Sequence, residues 1–558
     1  MQNLFLQRAA RPVVWSIAGS DSGAGAGVQA DLRAFDAMEV HGCTAVAAIT
    51  AQNSVAVERI EPVASEVLDA QLAALAADMP PHAVKTGMLG SVQNLRCVVA
   101  WVDALRRRGP LALVVDPVWR ATTGAALGSA AMREAMLQEL LPRATVLTPN
   151  RAEAAWLLGL DAGVLNAGAL NDAAAIEEAA AALRALGPQT VVITGGDLRH
   201  ARSREGNDET DPAASSAAWA SDRLDSPEAR GWLVLPRVDT PHHHGSGCAF
   251  AATMAAALAR GFCGADAAVI AKMSTTRGLQ EADAAGSAGR GAGAVRPVRG
   301  FGFDPDLLPA LRTSPGGASH SFAPLSERRL GLYAVVDSAD WVARVLVAGA
   351  RTVQLRIKSP ARCRGKNGGL AEEDISEGDL SEEIRRSVHL ARSFGAQLFI
   401  NDHWQLAIEH GAYGVHLGQE DLETADLDAL RAAGLRLGIS THSYWEVCRA
   451  HGLAPSYIAC GPIHATVTKQ MPWQPQGPGN LAYWCRVLRE PVVAIAGMNA
   501  ARSLEAVRCG AAGVAVLRGI VTSADLGSSV DAFMAAIDQG ARAAPIEAPL
   551  LPRSTLTG

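Results

Sequence analysis

The sequence predicts two α/β domains in series: an open, mainly parallel sheet covered by helices, then a closed (β/α)8 barrel. Three observations carry this. The chain has 558 residues, too many for one hydrophobic core, so several domains are expected. Residues 286–328 form a seam rich in Gly, Pro, Ser and Arg, the composition of a connection rather than a packed element. On both sides of it, short apolar runs alternate with helix-like stretches and end in polar residues. The expected division is a first domain over 1–302, a linker over 303–328 and a barrel over 329–558.

In the first half the strand-like runs are "VVWSIAGS", "CTAVAAITAQ", "HAVKTGM", "LALVVDPV", "ATVLTPN" and "TVVITGG". Strands alternating with helices give a parallel sheet that binds ligands at the strand C-termini. In the second half the runs are "LGLYAVVD", "TVQLRIK", "QLFIND", "GVHLGQ", "LRLGIST", "YIACGP", "VVAIAGM" and "GVAVLRG". Eight such units in about 230 residues fit a closed barrel, whose chemistry sits at the C-terminal ends of its strands. Two polar segments, 200–230 and 359–383, read as surface insertions.

Composition narrows the function classes. Nearly half the residues are hydrophobic, aromatics are few, and the formal charge is −6, which gives no reason to expect a nucleic acid or a membrane surface as partner. Nine cysteines include no CxxC pair, so neither a disulfide framework nor a zinc site is indicated. The N-terminus lacks the apolar core of a secretory signal, and no apolar run reaches membrane-spanning length. A soluble, cytoplasmic protein is the expectation. The oligomeric state stays open, a homo-oligomer included.

The stretch "HHHGSGCAF" places Cys248 behind Gly245, Ser246 and Gly247 at the mouth of an alanine-rich helix. A helix start is an anion site, and a thiol there tends to have a lowered pKa. The triple histidine invites a metal reading, but adjacent residues on one loop rarely converge on one ion. "AGSDSGAGAGVQAD" follows the first strand, and its glycines let backbone approach a ligand. Neither a P-loop nor a dinucleotide-binding fingerprint occurs, so any phosphate chemistry is of another kind.

The set "AGSDSGAGAGVQAD", "ITAQN", "KTGMLG", "VVDPVW", "LTPNRAEA" and "HGSGC" resembles the hydroxymethylpyrimidine/phosphomethylpyrimidine kinases of the ribokinase superfamily. The resemblance implies a ribokinase-like sandwich that phosphorylates hydroxymethylpyrimidine and then its monophosphate with ATP. By that resemblance Asp31 and Gln52 bond the aminopyrimidine, and Gly19, Met88 and Val118 line its pocket. Asn150 and Glu153 help position Mg-ATP, with Thr194 and Gly195 beside them. Gly245, Ser246, Gly247 and Cys248 form the catalytic anion hole. Two departures stand out: Thr194 replaces the usual lysine before the paired glycines, and His243 replaces a threonine. A pyridoxal-type kinase is the rival reading of this half.

In the barrel, "QLRIK" puts Gln354, Arg356 and Lys358 on one strand face, and two cations there suit a diphosphate. Asp402 and Asp421 end neighbouring strands, a plausible Mg²⁺ pair. "QLRIK", "FINDHW", "GVHLGQED", "GIST", "TVTKQMP" and "VVAIAGM" together resemble thiamine phosphate synthase, a (β/α)8 TIM barrel. That family couples the pyrimidine diphosphate to thiazole phosphate through loss of diphosphate. The resemblance implies that Gln354, Arg356, Lys358, Asn401, Ser440 and Lys469 hold the pyrimidine diphosphate, with Asp402 and Asp421 on the metal. Thr466, Thr468, Gly497, Leu517 and Arg518 take the thiazole phosphate. Arg518 departs from the family's usual loop. The rival reading is a kinase fused to a non-catalytic regulatory or tautomerase-like barrel, which would lack the diphosphate and metal set.

Overall fold

The computed structural model describes residues 11–119, 129–160, 170, 172–196, 218–317, 320–357, 376–466 and 472–556. It separates into two compact units that divide between residues 318 and 319.

The first unit is built on a ten-stranded sheet. Its strands are β1 (Val13–Asp21), β2 (His41–Gln52), β3 (Val57–Pro62), β4 (Ala83–Thr86), β5 (Ala112–Val115), β6 (Val146–Leu147), β7 (Thr190–Ile193), β8 (Trp219–Asp225), β9 (Arg230–Pro236) and β10 (Ala310–Arg312). Their order across the sheet is β10-β9-β8-β7-β6-β5-β4-β1-β2-β3. The six central strands, β2-β1-β4-β5-β6-β7, are parallel. β3 on one side, and β8, β9 and β10 on the other, pair antiparallel, so the sheet is mixed. Chain direction across the sheet reverses between β1 and β4, and a ligand crevice belongs outside such a switch point.

One face of the sheet buries Trp15, Ile17, Ala45 and Val84 against Leu68, Leu95, Val98 and Leu140 from the helical layer. The helix Ser246–Ala259 is buried from Ala249 through Ala257. Its alanines give high helix propensity and let neighbouring backbone come close. Gly245 precedes it with φ 79, and a Cβ there would sit 2.0 Å from the Gly25 carbonyl oxygen. Only glycine satisfies both conditions.

The second unit is a closed barrel of β11 (Gly331–Val336), β12 (Thr352–Leu355), β13 (Gln397–Asn401), β14 (Gly414–Leu417), β15 (Arg436–Thr441), β16 (Tyr457–Cys460), β17 (Val492–Ile495) and β18 (Gly513–Val516). Each strand is parallel to the next, and β18 returns to β11. All eight predicted strand runs are present. Tyr333, Val335, Phe399, Tyr457, Val493 and Ala515 form the core inside the barrel. Alternating strand residues place these side chains inward.

Three expectations need correction. Residues 219–225 form β8, 226–229 the turn after it and 230 the start of β9, while 197–217 lie outside the described residues. Residues 377–383 open the helix Glu377–Ser393, which Ser376 caps by accepting from the Asp379 amide. The first domain's order does not stop at 302, because β10 pairs with β9.

Candidate active sites

In the first unit a cavity of about 470 Å³ opens at the C-terminal ends of the central strands. Gly19, Gln52, Met88, Val118, Asn150, Glu153, Thr194 and residues 245–248 all line it. Asp31 does not. It is wholly buried beneath the cavity, 2.5 Å from Ser16 Oγ and 3.1 Å from Lys85 Nζ. The helix Gly27–Ala37 starts so close behind β1 that its fifth residue turns into the sheet. Gly195 is not among the lining residues; its amide donates to Asp222 Oδ1 at 3.0 Å.

Lys85 is the central cation that sequence reasoning missed. Its Nζ lies 3.1 Å from Asp31 and 3.3 Å from Asp116. Burial disfavours the ammonium charge, but the Asp31 and Asp116 carboxylates beside it hold it protonated. An apolar strand gives no sign that its one lysine will meet two carboxylates from separate elements. Lys272 is a second such cation, 2.8 Å from Asp222 and lining the same cavity as Thr194.

Cys248 differs from expectation. Burial pushes its thiol up to about 12, Lys85 offsets part of this, and Asp116 and Asp31 add to it. The group at this helix mouth is therefore a protonated thiol. The helix start itself keeps its anion-binding character, because first-turn N–H groups have no intrahelical acceptor.

The three histidines go to three partners. His242 Nδ1 accepts from the Gly293 amide, His243 Nδ1 meets the Pro241 carbonyl, and His244 Nε2 lies 3.2 Å from Asp21 Oδ2. Asp21 also accepts from the amides of Gly23, Gly25 and Ala26. Burial alone would raise Asp21, but the His244 bond and these amides lower it. His244 thus ties the glycine loop to the loop of Gly245.

Asn150 and Glu153 serve the backbone first. Asn150 Oδ1 accepts from the Glu153 amide and Glu153 Oε2 from the Asn150 amide, both at 2.9 Å. This reciprocal capping box starts the helix Arg151–Leu158. Thr194 forms an isolated parallel bridge with Asn150.

The barrel's cavity, also about 470 Å³, lies at the strand C-termini. It is lined by Gln354, Arg356, Asn401, Asp402, Asp421, Ser440, Thr466, Gly497, Leu517 and Arg518. Lys358, Thr468 and Lys469 lie outside the described residues. Asp402 has φ 63, a left-handed backbone that aspartate tolerates better than most residues. Asp421 Oδ2 accepts from the Gly418 amide at 3.1 Å. Among the described residues no three His, Cys, Asp or Glu side chains form a metal-holding group. Two carboxylates beside Asn401 nonetheless suit a hard cation that takes its other oxygens from a substrate and water.

Sequence reasoning also missed His416, His442 and Trp473, which line this cavity. His442 and Trp473 stack with centroids 4.1 Å apart. Burial and the Arg356 charge hold His416 down to about 4, with Asp421 opposing, so its imidazole is neutral near pH 7. Among the described residues no helix is long and apolar enough to cross a membrane.

Both units are similar to known proteins. Residues 21–296 match the phosphomethylpyrimidine kinase family and residues 332–520 match thiamine monophosphate synthase. The thiamine-phosphate synthase of Cronobacter sakazakii (strain ATCC BAA-894) is 47% identical over 205 residues, covering 37% of this chain and 90% of that protein. That of Proteus mirabilis (strain HI4320) is 46% identical over 209 residues, covering 37% and 90%. Among solved structures, a phosphomethylpyrimidine kinase from Clostridium difficile 630 is 28% identical at TM-score 0.38, covering 48% of this chain and 99% of its own. An ADP complex of Bacillus subtilis pyridoxal kinase is 31% identical at TM-score 0.44, covering 52% and 98%. The chain therefore belongs to the phosphomethylpyrimidine kinase family through its first unit and to the thiamine-phosphate synthase family through its barrel, two transferases of thiamine biosynthesis in one polypeptide.

Proposed function

We propose that the first unit phosphorylates hydroxymethylpyrimidine and then its monophosphate with ATP, and that the barrel couples the resulting diphosphate to thiazole phosphate. The observation that carries this is the gathering of Gln354, Arg356, Asn401, Asp402, Asp421, Ser440 and Arg518 around one cavity. A regulatory barrel has no use for such a set.

In the kinase cavity, Gln52, Gly19, Met88 and Val118 would hold the pyrimidine. Asp31 would act through Lys85 rather than on the ring. Phosphoryl transfer relies on positioning and charge stabilisation. The N–H groups at the start of the helix Ser246–Ala259 would stabilise the transferred group, with Lys85 as the nearby cation. Lys272 supports the reading that a cationic ATP contact survives the loss of the lysine at Thr194. Asn150 and Glu153 would position Mg-ATP while capping their helix.

In the barrel, Arg356 would stabilise the departing diphosphate, and Asn401 would orient it. The bond from the pyrimidine methylene carbon to oxygen breaks with its electron pair leaving on the diphosphate. The thiazole nitrogen then donates its lone pair to that carbon. Asp402 and Asp421 would hold Mg²⁺, which when bound neutralises charge on the leaving oxygens. Ser440 and Gln354 would bind the pyrimidine. Thr466, Gly497, Leu517 and Arg518 would bind the thiazole phosphate, Gly497 having φ 69 and no room for a Cβ beside His464. The free cysteines among the described residues fit a reducing, cytoplasmic setting.

Asp402→Ala tests the assignment. It should reduce coupling of supplied pyrimidine diphosphate by at least about 10²-fold while phosphorylation of hydroxymethylpyrimidine is unchanged. Normal coupling in that variant would remove Asp402 from the site.

A further inference from the structure

The barrel contains a buried polar chain whose interior members, Tyr333, Tyr457 and His416, the reaction above does not use. Tyr333 and Tyr457 are buried, with their hydroxyls 2.7 Å apart. The Tyr457 hydroxyl is 2.7 Å from His416 Nδ1, and His416 Nε2 is 2.8 Å from Ser440 Oγ. At the other end Gln354 hydrogen-bonds the Tyr333 hydroxyl. Five strands contribute one residue each. Both ends of the chain, Gln354 and Ser440, line the cavity. Room for it is built in: a Cβ on Gly438 would fall 2.1 Å from the Tyr457 ring.

Each hydroxyl, and a neutral imidazole, passes on one donor for one acceptor. The chain therefore runs in a single sense. If Gln354 donates to Tyr333, successive donation ends with His416 donating to Ser440, whose own O–H is left for the cavity. The Gln354 carbonyl is then left as an acceptor. In the reverse sense Ser440 donates inward and offers only a lone pair, while the Gln354 carbonyl is occupied and its N–H groups face outward. Either way one end presents a donor where the other presents an acceptor.

We propose that Tyr333, Tyr457 and His416 are positioning residues that couple the hydrogen-bonding sense of Gln354 to that of Ser440. The cavity then selects a heterocycle edge carrying one donor and one acceptor, as an aminopyrimidine does. This rests on the reading that the pyrimidine occupies this cavity. A site with hydrogen-bonding groups committed in this way rejects an analogue that lacks a partner, because its buried groups go unpaired.

The test compares KM and kcat of the full chain for the aminopyrimidine diphosphate and for its des-amino analogue, at saturating thiazole phosphate. Tyr457→Phe breaks the chain at its middle while keeping the ring. It should raise KM for the amino substrate about tenfold, leave KM for the des-amino analogue within about twofold, and change kcat little. The selectivity between the two substrates thus collapses. Tyr333→Phe should act in the same direction with a smaller loss, and it carries the test if Tyr457→Phe does not fold. Equal changes in KM for both substrates, or a fall in kcat alone, would overturn the proposal. Wild-type protein that fails to turn over the amino substrate would overturn the underlying reading as well.

Discussion

Cys248 shows how strongly a residue's chemistry depends on what surrounds it. The helix mouth favours a thiolate, yet burial prevails and pushes the thiol up to about 12, with Lys85 only a partial offset. A raised acid pKa favours the protonated form, so Cys248 stays a thiol across the neutral range. The kinase pH–rate profile should therefore lack a rising limb near the ordinary thiol pKa of about 8.5. Cys248→Ala should lower phosphorylation by about 10²-fold without changing that profile's shape. A limb that vanishes in the variant would show that the thiolate is the base. At this scale the sequence was partly legible: residue types at the two cavities were readable, but their protonation and partners were not. Asp31 turned to Lys85 and Ser16, a pairing fixed only when helix and sheet meet.

Elements built from local rules were the readable ones. The eight barrel strands each have an apolar run and a turn, and each pairs with the next, so counting them sufficed. β8 was not readable. Its sequence "WASDRLD" looks like a polar loop because its charges are neutralised from elsewhere: Asp222 by Lys272, Asp225 by Arg184, and Arg223 by Glu177. β10 has three residues and no pattern to detect. The Asn150–Glu153 pair was read for its chemistry, yet its local work is the capping box. Asn150→Ala should lower kinase-unit stability by about 1 kcal/mol and its melting temperature by about 2–4 °C, measured by calorimetry. It should also raise KM for ATP. A variant with unchanged stability would show that the cap contributes nothing.

Across the whole molecule, the two units hold complementary chemistry. The first cavity offers a helix start and buried cations for phosphoryl transfer; the second offers two carboxylates and cationic side chains suited to a departing diphosphate. One unit's product is the other's substrate, so the fusion is chemically coherent without any requirement for transfer between sites. The measurement that tests this most directly is formation of thiamine phosphate by the purified intact chain. One reaction receives hydroxymethylpyrimidine, ATP, Mg²⁺ and thiazole phosphate; a parallel reaction receives the pyrimidine diphosphate in place of hydroxymethylpyrimidine and ATP. The account predicts product in both. Product from the diphosphate alone would contradict the kinase assignment, and ATP consumption without product in either reaction would contradict the barrel's.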